Sequence, residues 1–316
     1  MQLFESPDNP MPPDPLSGAV RTPDGINLRY ARWRTLRPPA KGTIVLLHGR
    51  TEYIEKMYET VSDLRGMGFE VLTFDWRGQG GSDRLLGDRR RGHVDSFRQY
   101  VTDLDTVMNE VVLPDCRAPF FILAHSTGGL VALLAAPGLG NRIERMVLTS
   151  PLIRFGETAL PQPALKVLAG LMCTFGLGTL PLSRRANPHA EQRFANNRLT
   201  SDTRRFTRNV DFAAGHPELG IAGPTAAWIF AACQAMDIVD DPDFIASIAV
   251  PTLLVAAGND KVVSTRAIEE LGLRMRSGRT VTVAGARHEL LQERDVYRQQ
   301  LLAAVAAFIP GTSPVA

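Results

Sequence analysis

An apolar stretch that runs directly into a turn of very small residues constrains the fold of this chain more than any other feature. Residues 120–130 read FFILAHSTGGL, with Ser126 flanked at two residues' distance by Ala124 and Gly128. A serine hydroxyl is a weak nucleophile unless it lies beside a base and near backbone N–H groups. A sharp strand-to-helix turn with tiny flanking residues provides that setting. The pattern predicts that Ser126 is a nucleophile, and the alternative is that Ser126 only caps the helix.

The usual form of this turn is G-x-S-x-G, so Ala124 stands where a glycine is expected. The difference is a single methyl group, and we expect it to alter the rate of a reaction at Ser126 without changing the mechanism.

Apolar strand patterns alternate with helical patterns along most of the chain. Several strand patterns are apolar without alternation, which is typical of strands buried on both faces. We predict strands at residues 28–33, 43–48, 70–74, 120–124, 145–149, 252–257 and 280–283, and helices at 53–67, 96–112, 129–136, 265–275 and 290–308. This order predicts an α/β fold with a mostly parallel central sheet and helices on both faces.

The alternation is interrupted once, over residues 152–240, which contain no strand pattern and read as helices and loops. We interpret this segment as a helical cap inserted into a core formed by residues 18–151 and 241–309. Residues 1–17 are rich in proline, and residues 310–316 form a short tail. Both end segments are predicted to be disordered.

Charge and cysteine content narrow the class of protein. The formal net charge is +2, and no basic run is interleaved with aromatic residues, so nucleic acid is not an expected partner. The three cysteines form no C-x-x-C pair, as is usual in a reducing compartment. The first residues contain no apolar run, so no signal peptide or anchor is predicted. We expect a cytoplasmic protein.

An acid and a histidine follow two later strand patterns. Asp260 comes after the predicted strand at 252–257, and His288 comes after the predicted strand at 280–283. A nucleophile on a central strand takes its partners from later strand ends, in the order serine, acid, histidine. We therefore predict that Asp260 orients His288 and that His288 is the general base. Taken alone, each residue has an alternative role, an Asx turn for Asp260 and the capping of a helix for His288.

An oxyanion hole needs two N–H donors, one just after the nucleophile and one in the loop after an earlier strand. Thr127 follows Ser126, and Arg50 follows the predicted strand at 43–48. The backbone N–H groups of Arg50 and Thr127 are the predicted donors. Gly49 allows the loop to approach the turn at Ser126 closely.

Five motifs together resemble the α/β-hydrolase superfamily. They are the Ser126 turn, LHGR at 47–50, FDWRGQGGS at 74–82, GND at 258–260 and HEL at 288–290. Over roughly residues 25–308 the chain is similar to the serine aminopeptidase S33 and monoglyceride lipase group. It is most similar to the lysophospholipase L2 family because of two further motifs, which are GRTEY at 49–53, followed by Lys56, and GHV at 92–94.

The resemblance implies hydrolysis of a carboxylic ester through an acyl-enzyme on Ser126, without a cofactor. The expected substrate is a single-chain acyl lipid, with a lysophospholipid ahead of a monoacylglycerol or a general carboxylic ester. A proline-iminopeptidase-like peptidase is a second alternative, and it would need an acidic cluster in the cap. A hydrolase-fold binding protein without activity is the third.

Two further motifs are incomplete. GQGGSD at 78–83 begins like a dinucleotide-binding loop but has Asp83 in place of its third glycine. HELLQ at 288–292 begins like a zinc-protease helix but has Gln292 in place of the second histidine. Neither a nucleotide nor a metal ion is expected to bind.

The cap contains two stretches that bear on the substrate. Residues 164–182 are strongly apolar, but glycines and Pro181 interrupt them, so a membrane span is not expected. They are suited to packing on the core, to holding an acyl chain or to contact with the surface of a membrane on its cytoplasmic side. Residues 183–210 carry seven arginines against two acids. The candidates for contact with a phosphate are Arg184, Arg185, Arg204 and Arg205, and the alternative is a solvated face.

Overall fold

An eight-stranded, mostly parallel sheet forms the centre of the computed structural model, which describes residues 1–182 and 193–309. The strands are β1 Leu16–Arg21, β2 Asn27–Trp33, β3 Thr43–Leu47, β4 Glu70–Phe74, β5 Phe120–His125, β6 Arg145–Thr149, β7 Thr252–Ala257 and β8 Gly278–Val283. Their order in the sheet is β1-β2-β4-β3-β5-β6-β7-β8. Strands β3 to β8 pair in parallel, and β2 is antiparallel to both β1 and β4.

Helices cover both faces of this sheet. They are α1 Tyr58–Gly66, α2 Phe97–Val107, α3 Leu113–Asp115, α4 Thr127–Leu139, α5 Gln162–Thr174, α6 Thr203–Gly215, α7 Ala226–Asp240, α8 Pro242–Ser247, α9 Thr265–Arg274 and α10 Asp295–Phe308. Two separate apolar clusters, one on each face, contain the buried side chains of the strands. The predicted α/β-hydrolase architecture is confirmed.

Two predicted helices are divided in the structure. The helix predicted at 96–112 is α2 continued by a π-helical turn at Met108–Val112. The helix predicted at 290–308 begins as a separate 3-10 turn, Leu290–Gln292, before α10 starts at Asp295. The periodicity of apolar residues predicts where a helix lies. It does not show where the hydrogen-bonding pattern changes from one type of helix to another.

Residues 1–17, for which the sequence predicts disorder, instead lie against the core. Trp33 Nε1 donates to the Pro12 carbonyl at 3.0 Å, and Asn9 Nδ2 donates to the Glu55 carbonyl at 2.9 Å. The strand β1 then begins at Leu16. The segment has little apolar pattern because many of its contacts are hydrogen bonds, while its few apolar side chains, such as Leu3 and Met11, are widely spaced where they pack on the core. The predicted tail, 310–316, lies outside the described residues.

The segment from 152 to 240 enters after β6, and its described part consists of α5, a short 3-10 turn, α6 and α7 joined by loops. Helix α7 packs on α5 on one side and on α4 of the core on the other. Trp228 and Met236 of α7 belong to the same apolar cluster as the strand residues Leu148 and Leu254. Helix α7 therefore shares a continuous hydrophobic core with the sheet, whereas α5 has only Ala169 buried.

Candidate active site

Ser126 lies at the tip of a strained turn between β5 and α4. Its backbone angles are φ 51° and ψ −115°, a combination that is costly for a residue with a side chain. The turn is held by the Ser126 N–H, which donates to the Thr149 carbonyl on β6 at 3.0 Å. A Cβ atom on Gly128 would lie 2.7 Å from the carbonyl oxygens of Leu47 and His48. The predicted need for a glycine after the serine therefore has a steric cause.

Ala124, two residues before the serine, is not among the residues with unusual backbone angles. It pairs with Leu47 of β3 and Leu148 of β6 and is completely buried in the apolar cluster. Its methyl group thus takes part in the packing of the central strands.

The structure brings the three predicted side chains of the site into one hydrogen-bonded chain. His288 Nε2 lies 3.0 Å from Ser126 Oγ, and His288 Nδ1 lies 2.7 Å from Asp260 Oδ2. The other Asp260 oxygen accepts the N–H groups of Val262 and Val263, so the carboxylate forms an Asx turn as well. The turn and the contact with histidine are therefore compatible, because each uses a different oxygen.

Burial and the ion pair act in opposite directions on these two groups. Burial lowers the pKa of His288, but the attraction of Asp260, helped by the more distant Glu289 and Glu52, outweighs it, and the net pKa is raised. Burial likewise raises the pKa of Asp260, while His288 and two backbone N–H groups lower it more. An ionised Asp260 can therefore stabilise the proton that His288 would accept from a serine hydroxyl.

The loop after β3 packs directly against the serine turn. A Cβ atom on Gly49 would lie 3.2 Å from the Ser126 Cβ atom, so a larger residue there would force the neighbouring side chains to shift by a few tenths of an ångström. Arg50 and Thr127, the predicted oxyanion donors, line the same cavity as Ser126. Thr127 is the first residue of α4, where a backbone N–H has no acceptor within the helix.

A buried ion network supports this loop, and its pairing was not predicted. The Gly49 N–H donates to Glu52 Oε2 at 2.5 Å. Lys56 lies between two carboxylates, 2.9 Å from Glu52 and 2.7 Å from Glu289, the neighbour of His288. The two carboxylates raise the pKa of Lys56 against the opposing effect of burial. The network therefore ties the loop after β3 to the segment that carries His288.

The glycine-rich loop at 78–83 encloses a carboxylate. Asp75 accepts hydrogen bonds from the backbone N–H groups of Ile54 and Gly81 and forms a buried ion pair with Arg29 at 2.6 Å. A Cβ atom on Gly80 would collide with the Asp75 carboxylate. The glycines thus serve a structural purpose that requires no nucleotide.

The serine faces a small cavity of about 280 Å³ with mostly apolar walls. Its apolar lining includes Leu152, Phe155, Trp228 and Ile229. Leu199 and Val262 line both this cavity and a larger groove of about 1320 Å³, to which Leu160, Leu165, Leu168 and Leu182 contribute. The groove therefore adjoins the serine cavity, and its lining combines these leucines with charged side chains such as Lys261 and Arg287.

The predicted cap arginines do not act as one group. Arg205 is buried on α6 and pairs with Glu59 of α1 at 2.5 Å and with Asp295 of α10 at 2.7 Å. It is not among the residues that line the cavity. Arg204 is exposed on the same helix, and Arg184 and Arg185 lie outside the described residues. A count of charges could not distinguish a paired arginine from a free one.

Within residues 1–182 and 193–309, no three His, Cys, Asp or Glu side chains are grouped in a way that could hold a metal ion. In the same residues no helix is long and apolar enough to cross a membrane.

The fold and the arrangement of serine, histidine and aspartate define the class of serine hydrolases with an α/β-hydrolase fold. Residues 38–295 match the family described as serine aminopeptidase, S33. The chain belongs to this family.

Two curated relatives are similar over most of their length. Lysophospholipase L2 of Escherichia coli (strain K12) is 33% identical over 301 residues, which is 90% of this chain and 84% of that protein. The probable lysophospholipase L2 of Haemophilus influenzae is 28% identical, over 90% of this chain and 89% of its own.

Among solved structures, a soluble variant of monoglyceride lipase from Saccharomyces cerevisiae superimposes with a TM-score of 0.73. It is 20% identical and covers 92% of this chain and 94% of its own. At this identity the similarity concerns the fold alone.

Proposed function

We propose that this protein is a lysophospholipase, a serine hydrolase that releases the fatty acid from lipids with one acyl chain. The observation that carries the proposal is the hydrogen-bonded chain from Ser126 through His288 to Asp260 at a mostly apolar cavity. Similarity to two lysophospholipases L2 supports the choice of substrate class. The groove that shares Leu199 and Val262 with this cavity offers four further leucines for contact with an acyl chain, beside polar and charged side chains.

In the proposed reaction, Ser126 Oγ attacks the ester carbonyl carbon while His288 Nε2 accepts the hydroxyl proton. Asp260 holds the imidazole ring and stabilises its charged form. The backbone N–H groups of Arg50 and Thr127 donate to the carbonyl oxygen as it becomes an oxyanion. His288 then protonates the departing alcohol. Water, activated by the same histidine, cleaves the acyl-enzyme to the free fatty acid.

The test is fatty-acid release from lysophosphatidylcholine and from a monoacylglycerol of equal chain length, with Ser126→Ala protein as the blank. We expect faster release from the lysophospholipid and none above background in the variant. Preference for the glyceride would make the protein a monoacylglycerol lipase, and activity on short soluble esters alone would make it a general carboxylesterase. A fluorophosphonate that fails to label folded wild-type protein would favour a binding protein without activity.

An aminopeptidase activity would need free acidic groups in the cavity to bind the amino terminus of a peptide. The two acids that line the cavity, Glu52 and Glu289, are both paired with Lys56. A peptide ammonium group would have to compete with this buried lysine, so ester hydrolysis is the better-supported reaction.

We also propose that α5 rests on the surface of a lipid aggregate. Its large apolar side chains face solvent, with Phe175 just after the helix 76% exposed and Val167 and Leu171 more than half exposed. Apolar side chains in such a cluster gain free energy when they enter a lipid interface. All three cysteines are free thiols, which suits the cytoplasmic side of a membrane.

Sedimentation with vesicles of phosphatidylethanolamine and phosphatidylglycerol tests this contact. Leu171→Ser with Phe175→Ser should reduce the bound fraction several-fold, because two exposed apolar groups are removed. Leu273→Ser is the matched control. Leu273 is also an exposed leucine on a helix, but its helix, α9, lies outside the cap. Equal binding by the double variant and the wild-type protein would contradict the proposal.

A further inference from the structure

Arg50 is half-buried, and unlike most of the buried arginines of this protein it faces no carboxylate. Arg29 is paired with Asp75 and Glu55, and Arg77 is paired with two aspartates. In the part of the chain that the structure describes, Arg50 makes one side-chain hydrogen bond, from Nη2 to the Ala222 carbonyl at 2.6 Å. Its guanidinium group lies over the Trp228 ring, 5.2 Å from the ring centre.

This arrangement leaves most of the donor capacity of Arg50 unused. A guanidinium group has five N–H donors, and the buried Nε of Arg50 has no acceptor. Burial lowers the pKa of Arg50 to about 10, and the side chain remains charged at neutral pH. A half-buried cation without a counter-ion loses part of its hydration and gains no ion pair in return, so such a site is suited to an anion supplied by a ligand.

The surroundings leave room for the guanidinium group. A Cβ atom on Gly92 would collide with Arg50 Nη2, so a glycine at this position is needed for the observed orientation. The Trp228 ring and the Ala222 carbonyl hold the group in place from the cap side. An arginine that is already oriented loses less conformational entropy when a ligand binds.

Arg50 also lies at the right place along a substrate. Arg50, Trp228 and Ser126 line the same cavity. The Arg50 backbone N–H is the proposed donor to the ester carbonyl, so its guanidinium group is one side-chain length from the reacting bond. In a lysophospholipid, the glycerol unit separates the ester from the phosphodiester in a comparable way.

We propose that the Arg50 side chain binds the phosphodiester of a lysophospholipid and so selects this substrate over neutral glycerides. The inference rests on the proposed function and adds the residue that recognises the headgroup. A planar guanidinium group can donate two parallel hydrogen bonds to a phosphate. A monoacylglycerol has no anionic group and leaves the cation unpaired.

A matched control is available in Arg84, which is likewise without a carboxylate partner. Its Nη2 donates to the Glu218 carbonyl at 2.8 Å, in the same cap loop that Arg50 contacts through Ala222. Two of its nitrogens are buried without an acceptor. Arg84 does not line the cavity at Ser126. Like Arg50, Arg84 therefore ties the cap loop to the rest of the protein, but it does not lie beside the substrate cavity.

The experiment compares Arg50→Gln, Arg50→Lys and Arg84→Gln with the wild-type protein. For each, kcat/KM is measured on lysophosphatidylcholine and on monoacylglycerol of equal chain length. Arg50→Gln should lower the ratio of the two values about 10- to 100-fold, the range for losing a charge-assisted hydrogen bond. Arg50→Lys should retain part of the preference, because it keeps the charge but not the planar fork. Arg84→Gln should leave the ratio unchanged.

The possible failures can be told apart. Equal losses on both substrates in Arg50→Gln would show that Arg50 only ties the cap to the loop, and the inference would be wrong while the proposed function stood. A wild-type protein that hydrolyses neither lipid would refute the proposed function itself. If Arg50→Gln does not fold, inhibition of the wild-type protein by glycerophosphocholine decides. Inhibition well above that by glycerol supports the inference, and equal inhibition contradicts it.

Discussion

Different forces hold the two parts of the molecule that surround the site, namely the carboxyl ends of the sheet strands and the inserted cap. Ser126, Asp260 and His288 come after the carboxyl ends of strands β5, β7 and β8. The backbone hydrogen bonds between these buried strands fix where the three residues lie. In the cap, α7 is held by apolar packing and α6 by ion pairs, while α5 leaves apolar side chains in solvent. The sheet therefore positions the reacting groups, while the proposed contacts with substrate lie in the cap and at its borders.

The largest effect should follow from Asp260→Asn, which alters the site at the strand ends and leaves the cap unchanged. We expect kcat to fall about 10⁴-fold, because an amide neither selects the right tautomer of His288 nor stabilises its charge. His288 must be neutral to accept a proton, so wild-type activity should fall as the pH drops through its raised pKa, above the ordinary 6.5. Without Asp260, burial lowers that pKa, and the residual activity should extend to lower pH.

The pH dependence of kcat/KM on a short soluble ester measures both effects. An acid limb at the same pH in the variant and the wild-type protein would contradict the assigned coupling of Asp260 and His288.

Next in size is Gly128→Ala, which forces a methyl group against the carbonyl oxygens of Leu47 and His48. Overpacking of this kind should cost about 3 kcal/mol of the free energy of unfolding. A displaced turn should also lower kcat about 100-fold. Chemical denaturation and ester turnover are the measurements. Wild-type stability in this variant would show that the turn has more freedom than the structure indicates.

Arg205→Met tests the ion pairs of the cap. Removal of a largely buried cation should cost about 2 kcal/mol, since Glu59 keeps Arg208 as a partner and Asp295 is exposed to water. Arg204→Met, one residue earlier and exposed, should change stability by less than about 0.5 kcal/mol. Thermal unfolding distinguishes them. If Arg205→Met instead changed lipid preference at full stability, Arg205 would be a substrate contact after all.

The smallest effect is expected from Ala124→Gly, which restores the usual pattern of the turn. Loss of a buried methyl group in a strand should cost about 1 kcal/mol, with little change in ester turnover. A large gain in kcat from this variant would mean that the methyl group constrains the serine.

Local patterns in the sequence predicted the elements and the positions of the site residues well. Apolar runs predicted seven of the strands, and the small-residue turn predicted the elbow at Ser126. These features depend on near neighbours in the chain, so they are visible in a short window. Strand β1 escaped notice because LSGAVR is half exposed and has little apolar alternation.

Pairings across long sequence separations were not predicted. Lys56 and Glu289 are 233 residues apart, and Arg205 and Asp295 are 90 apart. The sequence contains these charges but no signal of which will meet. The same holds for residues 1–17, whose backbone carbonyls accept from Trp33 and Arg29.

Local periodicity and the positions of strand ends were sufficient to predict the α/β class and the order of the serine, acid and histidine. The tertiary structure alone decided which charges are neutralised. It pairs Arg205 with carboxylates and leaves Arg50 without one. The physical reason is that the charge of a side chain is a property of the residue, whereas its partner and its access to water are properties of the fold.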